Sequence, residues 1–110
     1  MMAAKINSCC SFKGFRKITA TSDRKEYIIE IHAEKNKFEE TITTFWIYEE
    51  EYIHKTLVDS VKKELNEVQL VEYLEEKLDE LISKYENIMK YIPTYQRYNN
   101  FLYLYKRRGE

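Results

Sequence analysis

The residues best suited to proton transfer or metal ligation are few in this 110-residue sequence: His32, His54, Cys9 and Cys10. Two thiolates and two imidazoles make a zinc set in principle. Structural zinc sites, however, space their cysteines two to four residues apart so that both sulfurs reach one tetrahedral ion. Cys9 and Cys10 are adjacent, which works against that geometry, so no metal and no cofactor is expected. Nucleophilic catalysis needs Cys or Ser beside a histidine with an orienting acid. Glu50 stands four residues before His54, within reach on a helix, but a surface ion pair accounts for that spacing as well. No nucleophile elbow is present, and with Gly14 and Gly109 as the only glycines no phosphate loop can form. The chemistry-bearing residues point away from an enzyme.

A second group lies near the C-terminus, where Arg97, Lys106, Arg107 and Arg108 accompany Tyr95, Tyr98, Phe101, Tyr103 and Tyr105. Cations neutralise phosphates and aromatic faces stack on unpaired bases, so this mixture suits single-stranded nucleic acid or a nucleotide. Arg97, Tyr103, Tyr105, Lys106, Arg107 and Arg108 are the candidate binding residues. The competing reading is a core strand followed by a basic tail. Net charge is -1, with both ends basic, +5 over residues 1–25 and +3 over residues 93–110, so the middle is acidic. Glu72, Glu75, Glu76, Asp79, Glu80 and Glu86 belong to that middle. They read as the solvated side of an amphipathic helix, or more sharply as an acidic surface imitating nucleic-acid phosphates.

The elements that must position these residues show in the periodicity. Residues 1–12 read as irregular. Phe15–Thr21 favours a strand, Ser22-Asp23-Arg24 a turn, and residues 25–34 alternate as a half-buried strand with Tyr27, Ile29, Ile31 and Ala33 on one side and Glu30, His32 and Glu34 mostly on the other. Lys35-Asn36-Lys37 is the next turn, Asn36 being its residue most tolerant of positive φ. Thr41–Tyr48 is β-branched and aromatic throughout and reads as a third strand.

The period then lengthens. Ile53, Leu57, Val61 and Leu65 recur every four residues, predicting a first helix over 50–65. Asn66 with Gln69 makes a capping box, with Leu65 and Leu70 as a hydrophobic staple, so a second helix starts there and runs toward Pro93. Within it Val71, Leu74, Leu78, Leu81, Tyr85, Ile88 and Ile92 form a heptad seam that another helix or a sheet must cover. Val71, Leu74, Leu78, Leu81, Tyr85 and Ile88 are therefore candidate interface residues, for self-association or for packing. Leu70, Ile82 and Met89 widen the stripe. Beyond Pro93, Phe101, Tyr103 and Tyr105 alternate with Leu102 and Leu104 as a short last strand.

The expected fold is one α+β domain over 13–108. It comprises a three-stranded antiparallel β-meander, a helical hairpin and a short C-terminal strand, with the helices on one face of the sheet. Free thiols, no signal-like leader and no apolar run near the ~20 residues of a membrane span point to the cytoplasm. Abundant Lys, Ile, Asn, Tyr and Phe beside scarce Gly and Pro point to an A/T-rich gene. The expected function is a small non-enzymatic interaction protein that binds and modulates another macromolecule, as a viral or mobile-element accessory protein inhibiting a host defence would. A protein partner and homo-oligomerisation are expected. Nucleic-acid or nucleotide binding through the basic and aromatic residues is the alternative.

Overall fold

Five strands in simple up-and-down order, followed by one helix, make up the computed structural model, which describes residues 3–51 and 55–92. The strands are β1 (Lys5–Phe12), β2 (Phe15–Ser22), β3 (Lys25–Lys35), β4 (Thr41–Tyr48) and β5 (Thr56–Val61), and the helix is α1 (Glu67–Lys90). All pair antiparallel in the order β1-β2-β3-β4-β5. The three central strands stand where their alternation predicts them. Asp23 and Arg24 both take positive φ, 50° and 66°, and so form the two-residue turn whose twist matches the strands it joins. Asn36 acts differently from expectation: its Oδ1 accepts from the backbone N–H of Phe38 (2.9 Å) and Glu40 (3.0 Å), while Glu39 takes the positive φ.

The expected three strands, helical hairpin and C-terminal strand are overturned at two described places. Residues 56–61 form β5 instead of part of a helix over 50–65. The four-residue spacing of Leu57 and Val61 is fortuitous, since Leu57 turns to the far side of the sheet while Val58 is buried beneath the helix. β-branched Thr56, Val58 and Val61 suit a strand, and the pairs Trp46–Leu57 and Ile47–Thr56 supply a partner that local periodicity does not see. Residues 5–12, read as irregular, form β1. Every residue of β1 is exposed, so no face is buried and no alternation marks it. Its strand character comes from backbone pairing with β2. The last strand expected around Phe101–Tyr105 lies outside the described residues.

One side of the sheet carries the core. Ile18 and Ala20 of β2, Tyr27, Ile29 and Ile31 of β3, Phe45 and Ile47 of β4 and Val58 of β5 meet α1 there. The helix begins as its sequence predicts: Asn66 Oδ1 accepts from the Gln69 N–H (2.8 Å) and Gln69 Oε1 from the Asn66 N–H (3.1 Å). It presents Leu70, Leu74, Leu78, Leu81, Ile82, Tyr85 and Met89. The heptad seam is thus half right. Leu74, Leu78, Leu81 and Tyr85 are in the core, but Val71 is 52% exposed and Ile88 38%. Heptad steps suit a supercoiled pair of helices. A helix laid on a twisted sheet buries a different line, here Leu70-Leu74-Leu78-Leu81-Tyr85-Met89.

Polar contacts ring that interface. Lys25 Nζ meets Glu86 (2.8 Å) and Glu49 (3.1 Å), Tyr27 donates to Glu86 (2.6 Å) and Tyr85 to Glu49 (2.7 Å). Arg16 pairs with Glu67 at the start of the helix, and Tyr73 donates to Asp59. Burial works against the charge on Lys25, yet the two carboxylates hold its pKa above the ordinary lysine value. Burial first, then the neighbouring carboxylates, raise Tyr27 and Tyr73 above the usual phenol range.

Leu78→Ala and Leu81→Ala should each cost about 2–5 kcal/mol, whereas Val71→Ala should stay within roughly 0.5 kcal/mol. Urea unfolding of the three variants checks this, and equal losses at all three positions would show that the seam, not the observed line, faces the core.

A candidate interaction face on the open side of the sheet

With α1 on one side, the other side of the sheet is uncovered by any described element. Strand register places three rows of side chains across it. Cys10, Lys17, Glu30, Trp46 and Leu57 follow one another through the four ladders. Phe12, Phe15, His32, Thr44 and Ser60 form the row on one side of these, and Ser8, Thr19, Ile28 and Tyr48 the row on the other. Phe12 stacks on Phe15 (centroids 5.0 Å, 12° between planes) and Phe15 on His32 (5.0 Å, 13°), a continuous file of rings across three strands.

Glu30 anchors the middle row. It is only 5% exposed although it lies on the open side, because its neighbours close over it. Lys55 Nζ lies at 2.8 Å and His32 Nε2 at 3.0 Å, and the Tyr48 hydroxyl donates to it as well. Burial alone would raise the Glu30 pKa; hydrogen bonds from Lys55, Tyr48 and His32, with the Lys55 charge, outweigh it and hold the carboxyl below its ordinary value. Tyr48 is raised by burial and by donating to Glu30, and Lys55 Nζ also sits 5.1 Å from its ring centre. Trp46 Nε1 donates to Thr44 Oγ1 (3.0 Å), fixing the indole.

These groups satisfy one another. A carboxylate beside a histidine is the pair that orients a general base, but here the imidazole spends its Nε2 on Glu30 and a ring face on Phe15. The arrangement holds aromatic side chains in place on the open side of the sheet.

The residues singled out from sequence are dispersed. Cys9 and Cys10 are exposed free thiols on β1, Cys9 opposite Ile18 on the helix side and Cys10 opposite Lys17 on the open side. Cys9 therefore points away from His32, and His54 lies outside the described residues. No group of three or more His, Cys, Asp or Glu among the described residues is placed to hold a metal ion. Arg97, Tyr103, Tyr105, Lys106, Arg107 and Arg108 all lie outside the described residues. Sequence reasoning had Glu30 and His32 on the outer face of their strand, but gave no role to Glu30, Trp46, Tyr48 or the two phenylalanines. The signal available was the alternation of β4, which sets Trp46 and Tyr48 outward while Phe45 and Ile47 face the core. No family model matches the chain, and neither curated proteins nor solved structures give a significant match.

A carboxylate with a lowered pKa adds stability that is complete above its unfolded value, 4.5, and lost as pH falls through its folded value. Glu30→Gln should therefore cost about 2–3 kcal/mol at pH 7, and the gap from the unmodified protein should close as pH is lowered below 4.5. Chemical unfolding at a series of pH values measures it. A gap that stays constant down to acid pH would remove Glu30 from that role.

Proposed function

We propose that this chain is a small non-enzymatic interaction protein of the cytoplasm that binds and modulates a protein partner through the open side of its sheet. One observation carries the reading. The outward positions of an antiparallel sheet that packs on one side are ordinarily polar. Here they hold Phe12, Phe15, Ile28, Trp46, Tyr48 and Leu57, of which Phe12 is 51% and Leu57 46% exposed. Trp, Tyr and Phe are the residues enriched in interface cores. Strands eight residues long and ~4.8 Å apart make a platform of about 600 Å², near the ~800 Å² a standard interface takes from each partner.

Charge on this side favours protein over nucleic acid. Glu26 and Glu34 are exposed near the two ends of β3 with Glu30 between them, while Lys17 stands opposite Glu30 and Lys55 is engaged by it. Phosphates would meet carboxylates along the central strand. Exposed thiols on β1 suit a reducing compartment. No helix among the described residues is long and apolar enough to cross a membrane. The A/T-rich coding bias suits a viral or mobile-element accessory protein, one that inhibits a host defence by occupying a surface of it.

Affinity capture from the native host cell tests the proposal with the unmodified protein, Trp46→Arg, and Val68→Arg as a control on the exposed flank of α1. A partner held by the first and third and lost at least ten-fold by Trp46→Arg is the expected result. Single-stranded DNA and RNA should show no saturable binding at physiological salt. Tight binding that weakens steeply with salt, and is abolished by Arg107→Glu with Arg108→Glu, would replace this function with the nucleic-acid alternative.

A further inference from the structure

An open sheet has two edges, and this one treats them differently. β5 is blunted in the ways that protect an edge. It has six residues, its register shifts beside Phe45 and Trp46, and its Asp59 turns inward to the Tyr73 hydroxyl of the helix. β1 has eight residues, is exposed along its whole length, and carries no charge or proline from Ile6 to Phe12. Its outward N–H and C=O groups face away from β2, the one strand it pairs with among the described residues.

We propose that the outer edge of β1 docks a second copy of this chain, the two β1 strands pairing antiparallel about a two-fold axis to form one continuous sheet. An axis perpendicular to the sheet keeps helix side with helix side, so both copies retain their own cores. Such an axis passes through a residue and not between two, because residues opposite each other share a face; centred on Cys9 it sets Cys9 opposite Cys9 and Ser8 opposite Cys10, and these small side chains let two edges close to normal strand spacing. Lys5 and Lys13 flank the uncharged stretch, and like charges brought together at each end confine the pairing to the residues between them. An edge of eight residues is about 27 Å long. Pairing it buries on the order of 1,000 Å² in total, the lower limit for a specific interface, so the dimer is reversible and of micromolar strength. This contact is made by the backbone edge of β1, whereas the open face is tested at Trp46 on β4, so the two fail distinguishably.

Light scattering across a dilution series tests it. At about 100 μM, a concentration set by the expected weak interface, the mass should approach twice the chain's 13.4 kDa, falling toward 13.4 kDa on dilution. Ser8→Glu with Cys10→Glu, both exposed, places four carboxylates at the paired edges. It should weaken dimerisation at least ten-fold with an unchanged melting temperature. A short bismaleimide should link two copies of the Cys10→Ser variant through Cys9, which keeps the question decidable if the glutamate variant fails to fold. A single-chain mass at every concentration, absence of cross-linked dimer, or a dimer that survives the two glutamates and dissolves with Trp46→Arg would overturn the proposal.

Discussion

One helix has to cover a sheet that is wider than it is, and most of the molecule follows from that mismatch. α1 has 24 residues, so it is roughly 36 Å long but only about 10 Å across, while five strands span about 19 Å from first to last. Its apolar line fits over the middle of the sheet, where Leu81 and Tyr85 meet Ile29, Phe45 and Ile47, all nearly inaccessible to solvent. Around that patch stand Arg16–Glu67, Lys25–Glu86, Tyr73–Asp59 and the Ala4 N–H on Asp79. Such partly exposed pairs each contribute little. Spaced around the patch, they fix the direction in which the helix crosses the strands. What the helix cannot reach is covered by no other described element: β1 on both sides, and the far side of the sheet.

The far side is nevertheless ordered. Glu30, held by Lys55, His32 and Tyr48, acts as a buried peg beneath an aromatic surface. The stacked Phe12, Phe15 and His32 rings have little rotamer freedom left to lose. Ordering side chains is one of the main costs of association, and a surface already held in this way meets a partner with that cost largely absent.

How much of this was legible in the sequence depended on whether a residue's signal was local. Asn66 and Gln69 announce the start of the helix because a capping box is complete within four residues. Tyr27, Ile29 and Ile31 announce β3 because one face is buried and the other is not. β5 was hidden, since Leu57 and Val61 imitate helix spacing and the evidence for a strand is a partner nine or more residues away in β4. β1 was hidden more completely, since with both faces in solvent it has no hydrophobic pattern to read. The open face was partly visible. Glu30 and His32 were placed outward by alternation, but that Glu30 is buried there depends on Lys55 and Tyr48, which arrive from other parts of the chain.

The order of the elements along the chain bears on how the protein is made. All five strands precede the helix that covers them. During synthesis the meander can pair, each strand with its immediate predecessor, before any of α1 exists. Its apolar side, with Ile18, Tyr27, Ile29, Phe45 and Ile47, then stays open to solvent until Lys90 has followed Val61 out of the ribosome. At 5–20 residues per second that delay is roughly 1.5 to 6 seconds. The nascent chain is thus at its stickiest when its five described strands have paired and α1 is still being translated, and α1 acts for that interval as a late-arriving chaperone encoded in the same polypeptide.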